Sequence, residues 1–302
     1  MLTESSAAPM RAGAERPTLS LSLIALCAAG YAVAIAATSP IPTPWGVGHF
    51  RPGVVVPAVF AVIFGPFIAG VGAGIGTFIG DLVLTGAGLT NPLLSLVAGV
   101  PGNFVGFYVL GWITSRYRSW RSFVWGSFVA LFVGNLVAAT GVVSYLSFFI
   151  PEWAAWPTGV KLATIMGFTF FWLTTMLPFV VPVVPVLVKA LEPVSKRVSP
   201  AVRAPDLAWG KPSSLIWSSI PVAGVLVLLY SLVMFTPLGD EMFAKAVQAE
   251  YILWVKSLLA VAAAVMLAFG VLVSLALRQR KPQRGADPAR KTPLLCVALF
   301  GT

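Results

Sequence analysis

The chemistry open to this chain is concentrated in a few polar residues set into long apolar runs. The stretch HFRPGVVVPAVFAVIFGPFIAGVGAGIGTFIGDL, residues 49–82, opens on the single histidine of the sequence, His49, beside Phe50 and Arg51, and it reaches Asp81 near its end. Trp45 stands just upstream, in SPIPTPWG, whose three prolines stiffen the segment. Trp45 and Phe50 offer stacking faces, while His49 and Arg51 offer donors suited to a heteroaromatic or anionic solute. Asn103, which follows Pro101-Gly102, sets an amide inside an apolar run, as a site wall or as part of a kink. Asn135 is a second such amide, suited to an interhelical hydrogen bond. Glu152, Trp153, Trp156 and Lys161 form a further cluster, readable as another wall of the same site or as an interfacial aromatic belt.

Several chemistries are excluded by what the sequence lacks. There is no G-x-x-x-x-G-K-[ST] phosphate loop, no G-x-S-x-G elbow and no H-E-x-x-H. The chain therefore does not hydrolyse ATP by itself, and no enzyme activity or cofactor is expected. With two cysteines, Cys27 and Cys296, and one histidine, neither a disulfide framework nor a Cys/His zinc centre can be assembled. The net charge of +10 comes without interleaved aromatic platforms for bases, so nucleic acid is not the expected partner.

The elements that must position these residues are membrane helices. The 302-residue chain is 58% hydrophobic and 10% charged, too apolar for a soluble domain. A helix needs about 20 apolar residues to cross a hydrocarbon layer of roughly 30 Å. Uncharged stretches of that length run from Leu19 to Thr38, Ser122 to Pro151, Leu162 to Val188, Pro212 to Gly239 and Ser257 to Leu277. The first is expected to be a span rather than a cleaved leader, because it has full span length. Gly53 to Ser115 carries only Asp81 as a charge and is cut at Gly65-Pro66 and at Gly86 to Pro92, so it holds three passes. The first of those, Gly53 to Phe64, rises only about 18 Å as a helix and must be shielded by neighbours or be re-entrant.

The expected fold is thus an all-α integral membrane protein with about eight spans. Basic residues are retained on the cytoplasmic side. With both termini inside, 16 of the 20 Lys and Arg fall on the inner segments, leaving Arg51, Lys161, Lys245 and Lys256 outside or at span ends. The basic segments also suit anionic lipid headgroups. The layout is a cytoplasmic tail (1–18), a six-span transport domain (19–190), a Pro-rich basic linker (191–212), a two-span hairpin (213–277) and a basic tail (278–302).

Two features of residues 49–82 carry packing consequences. Gly72, Gly76 and Gly80 recur every fourth residue, with Gly70 and Gly74 offset, so one helix face is nearly bare backbone for a neighbour or a solute. An antiparallel hairpin then brings Arg51, at the start of its first arm, beside Asp81, at the end of its second. The two can pair as a structural latch or as part of a site.

At RPGVVVPAVFAVIFGPFIAGVGAGIGTFIGDL the sequence resembles the substrate-binding S component of energy-coupling-factor vitamin transporters, in an outer loop, a short span, a Gly-Pro turn and a small-residue helix ending at Asp. The resemblance covers about residues 19–190, where the six-span count also agrees. It implies a six-helix bundle that captures a vitamin-like solute from outside and hands it inward with a transmembrane coupling protein and two ATPase subunits. It also implies an alanine-x-x-x-alanine docking face on the first span, to which Ala25 with Ala29 and Ala28 with Ala32 correspond. The two spans after residue 212 depart from that pattern.

In this reading Trp45, His49 and Arg51 form the lid of an outward-facing pocket. Asn103, Glu152 and Trp156 supply its other walls, and Asp81 orients Arg51. The competing readings are a self-sufficient ion-coupled carrier in which Asp81 titrates, and a membrane enzyme using His49 with Arg51 or Glu152. The topology is testable on its own: a cysteine placed in TPLGDEMFAKAVQAEY, residues 236–251, is expected to react with an impermeant thiol reagent in intact cells. Labelling only after permeabilisation would overturn it.

Overall fold

The computed structural model describes residues 17–38, 43, 46–86, 88, 90–198, 213–237, 239, 257, 260–269 and 271. The described residues form an all-α bundle. Helix α1 runs Pro17–Thr38, a 3-10 turn Pro52–Val54 leads into α2 at Val55–Phe64, and α3 spans Pro66–Thr85. Then follow α4 at Pro92–Tyr117, α5 at Trp120–Phe149, α6 at Thr158–Val198, α7 at Ser213–Phe235 and α8 at Ala260–Phe269. Five of these, α1, α3, α4, α5 and α6, are long and apolar enough to cross a membrane, so the chain is a multi-pass membrane protein.

The expected break at Gly65-Pro66 is real and has a local cause. Gly65 adopts φ 87°, open to glycine and strained for other residues, and Pro66 supplies the preset φ of a first helical turn. The turn frees α2 to be only ten residues long. That length is tolerated because α2 is enclosed: it packs against α1, α3, α4 and α6, and all its residues except Val56, Phe60 and Phe64 are buried. Around this short central helix the long ones pack in the order α1, α3, α4, α5, α6, with α7 against α5.

Helix α3 is bare on two faces. A Cβ at Gly72 would lie 2.6 Å from Cβ of Cys27, one at Gly76 2.7 Å from the carbonyl oxygen of Ala28, and one at Gly80 2.9 Å from Cβ of Ile35. The glycine ridge is therefore the seat of α1. The offset Gly70 faces α4, 3.1 Å from the carbonyl of Phe104. Close backbone approach of this kind is how helices associate where no hydrophobic effect separates protein from lipid.

This packing corrects one expectation about α1. Ala28 and Ala32 are 3% and 7% exposed, held against the glycine side of the bundle, and offer no surface to another protein. Ala25 and Ala29 face outward. One helix face cannot serve both α3 and a partner, and the glycines of α3 claim the former.

Helix α4 departs from regularity one turn before the expected disruption at Pro101. Asn91 caps it, its side-chain oxygen accepting from the Leu94 amide at 2.8 Å, and Pro92 occupies the first turn. Ser95–Gly99 then forms a π-helical turn. Pro101 has no amide hydrogen to complete the ladder, so the irregularity is displaced toward its N-terminal side.

Helix α6 has 41 residues and is about 60 Å long at 1.5 Å per residue, twice a hydrocarbon layer. It continues to Val198, so the first eight residues of the expected linker are helical. Pro193 interrupts only one bond of the ladder there, the one to the Lys189 carbonyl. Most of the 236–251 loop and both tails lie outside the described residues.

Substituting the glycine ridge tests this packing. Gly76→Val is expected to cost about 1–3 kcal/mol through overpacking and to lower the melting temperature in detergent by several degrees. Gly74→Ala, whose new Cβ would sit 3.5 Å from its nearest neighbour, is expected to be tolerated. Equal melting of the two variants would sink the account.

Candidate solute-binding site

The polar residues of the sequence meet where the chain enters α2. The loop before it is folded tightly: the Thr43 amide donates to the Gly48 carbonyl at 3.0 Å and the Thr43 hydroxyl to the Val47 carbonyl at 2.6 Å. Gly48 has φ 75°, and a Cβ there would lie 2.9 Å from the Trp172 ring, so conformation and space both require glycine. The Trp172 indole N–H donates to the His49 carbonyl at 3.1 Å, and Phe50 meets Phe179 edge-on at 5.9 Å. The loop is thereby fastened to α6.

From this loop Arg51 reaches inward and makes the central interaction. Its Nη2 donates to Oδ1 of Asp81 at 2.6 Å and its Nε to Nε2 of His49 at 3.0 Å. The other carboxylate oxygen of Asp81 accepts from the Ser95 hydroxyl at 2.6 Å. All three charged or titratable partners are buried, with His49 0%, Arg51 8% and Asp81 1% exposed. The pairing expected from the hairpin is present.

The π turn of α4 serves this cluster. It carries Ser95, and it brings Gly99 so near that a Cβ there would sit 3.0 Å from Thr77 and 3.1 Å from Asp81 Oδ2. One turn on, the Asn103 amide donates to the Gly99 carbonyl at 2.9 Å, and its oxygen accepts from the Tyr31 hydroxyl at 2.8 Å. Tyr31, on α1, is itself fully buried. Asn103 therefore joins α1 to α4.

Because His49 Nε2 accepts from Arg51, the ring is neutral, with its proton on Nδ1. Burial, and then the adjacent guanidinium, hold its pKa well below the ordinary 6.5.

Beside the cluster lies an open-mouthed cavity. Arg51, Asp81, Ser95 and Asn103 present polar groups to it, with Thr90 and Asn135. Leu94, Ala98, Val142, Met176 and Trp172 make its apolar wall, which α4, α5 and α6 provide. A mostly apolar concavity with a few converging polar groups is the form of a small-molecule site. Asn135 does bridge helices as expected, but to a weak acceptor, the thioether of Met176 at 3.7 Å.

Of the residues proposed from sequence, Arg51, Asp81 and Asn103 line the cavity, and His49 stands directly behind Arg51. Glu152 and Trp156 are not among its lining residues: Glu152 is exposed on the short helix Pro151–Ala154, and Trp156 stacks on Trp153 at 4.0 Å. Trp45 lies outside the described residues. Tyr31, Ser95, Trp172 and Met176 were missed, each being an ordinary residue within a long apolar run.

The family described as "ECF-type riboflavin transporter, S component" matches residues 18–180, more than half of the chain. The chain belongs to this family. No curated protein and no solved structure matches it. Every residue lining the cavity falls within the S-component segment, while the second part of α6, α7 and α8 lie beyond it. It is a transporter family rather than an enzyme family, and the chain is a substrate-binding subunit of that kind.

The buried pair makes two measurable demands. Asp81→Asn or Arg51→Ala leaves one buried charge unmatched and is expected to cost about 3–5 kcal/mol, with the double variant less harmed than the two losses summed. His49 gives a pH signature. The unfolded chain binds a proton once the pH falls below about 6.5 and the folded chain resists it, so stability is flat above that value and declines on acidification below it. His49→Gln should remove the decline. Melting curves between about pH 5 and 8 read both effects.

Proposed function

We propose that this chain is the solute-capture subunit of an ECF-type importer and that its solute is riboflavin or a closely similar flavin. It sits in a prokaryotic plasma membrane, with eight spans and both termini inside. A transmembrane coupling protein and two ATPase subunits drive release. The observation that carries the reading is the cavity beside Arg51 and Asp81, inside the segment that matches the S-component family. Trp172 offers a ring for stacking a planar heterocycle, and Arg51, Asn103 and Asn135 offer donors and acceptors for its polar edge. The absence of a phosphate loop from the sequence agrees with an external source of energy. The outward-facing Ala25 and Ala29 on α1 give the coupling protein a smooth surface. An ion-coupled carrier needs a carboxylate free to exchange its ion, whereas Asp81 is committed to Arg51 and Ser95.

Titration of riboflavin into the purified protein is expected to quench flavin fluorescence at a one-to-one stoichiometry. Trp172→Ala removes both the stacking ring and the N–H bond that fastens the His49 loop, so it should weaken binding by at least about 0.5–1.5 kcal/mol. Ala29→Trp is expected to abolish uptake in cells expressing the coupling module while leaving binding intact, since a bulky ring separates docked helices. Absence of riboflavin binding, together with a different compound in mass spectra of solutes retained on purification, would sink the flavin assignment. Equal loss of binding and uptake in Ala29→Trp would sink the docking role.

A further inference from the structure

We infer that Tyr31 is a positioning residue that ties the polar wall of the cavity to the α1 face at which the coupling protein docks; the inference rests on the capture and docking reading above. The Tyr31 hydroxyl gives its proton to Oδ1 of Asn103 at 2.8 Å, and the same oxygen accepts from the Arg51 guanidinium. Asn103 and Arg51 both line the cavity, whereas Tyr31 is not among the lining residues and is fully buried. It acts on solute through those two side chains.

The opposite side of the same helical turn faces outward. Ala29 is exposed, and two residues on, about 200° round the helix, Tyr31 is turned into the bundle. One rigid turn carries both, so a displacement applied at Ala29 reaches the hydroxyl. The seat of α1 permits such a displacement. A Cβ at Gly76 would lie 3.0 Å from Cβ of Tyr31, and Gly72 and Gly80 continue the bare backbone to either side, so these positions hold no side chain that locks α1 in register. Ser22 and Thr38 return their hydroxyls to α1 itself, at the carbonyls of Thr18 and Ala34, while Tyr31 crosses to α4 and to the loop before α2. Asn103 is held from both ends, its nitrogen by the Gly99 carbonyl and its oxygen by Tyr31. Drawing the hydroxyl away leaves that oxygen and an N–H of Arg51 unpaired, and both side chains lose the orientation they present to the cavity. By linkage, a solute that holds them in place holds α1 as well.

Tyr31→Phe isolates the hydroxyl, because the ring keeps its edge-on contact with Phe107 at 6.3 Å. Riboflavin affinity is measured by fluorescence titration for the free subunit and for its nucleotide-free complex with the coupling module. In the wild type, docking is expected to weaken riboflavin binding at least about fivefold, and riboflavin to weaken docking by the same factor. Tyr31→Phe is expected to bring the ratio of docked to free dissociation constants below about twofold. A tyrosine with a purely structural role would shift both constants together, so an unchanged ratio overturns the inference. Phe107→Leu controls for packing: it is expected to lower the melting temperature and keep the ratio, and loss of the ratio there too overturns the role of the hydroxyl. Should Tyr31→Phe not fold, the wild type still decides, since docking affinity that is equal with and without riboflavin overturns the inference alone. Absence of riboflavin binding in the wild type removes the flavin reading and the inference together.

Discussion

A guanidinium and a carboxylate buried together inside a membrane protein constrain everything around them. Each charge is costly to hold in a medium of low dielectric, and each is tolerated because the other is within hydrogen-bond distance. Arg51 and Asp81 come from different elements, the loop before α2 and the end of α3, so the pair fixes how those elements meet. Its neighbours extend the tie: Ser95 brings in α4, and the Trp172 bond to the His49 carbonyl brings in α6. The site is assembled around a bond that no single helix can make.

The rest of the bundle is arranged so that this bond can form. Helix α3 lacks side chains on the faces that meet α1 and α4, which lets its Asp81 end approach both. Gly99 removes the last obstacle by keeping the α4 backbone clear of the carboxylate. Helix α2 is short and enclosed, so the chain enters it deep in the bundle with Arg51 already among its partners. Shape and charge are therefore one problem here: the glycines supply nearness, and nearness makes the charges affordable.

Part of this was legible in the sequence. The Gly-Pro break, the short second helix and the meeting of Arg51 with Asp81 follow from hairpin geometry and from the rarity of charge in such runs. The walls contributed by α5 and α6 were not legible, because a Trp or Met in an apolar span looks the same facing solute, lipid or a neighbouring helix. Glu152 and Trp156 were expected at the site because they share its side of the bundle, and side alone does not fix distance. The phase of α1 was hidden too. Its alanines lie on every face of an almost wholly apolar helix, and only the glycines of α3 decide that Ala28 turns inward and Ala25 outward. The helical continuation of α6 through Pro193 shows the same limit, since proline discourages a helix without forbidding it.

The neutrality of the buried pair also has an electrical meaning. A lone guanidinium carried through a potential of 100 mV would exchange about 2.3 kcal/mol with the field. Arg51 and Asp81 together carry no net charge, so the pair exchanges nothing with that field. Membrane voltage therefore exerts no net pull on the centre of the site.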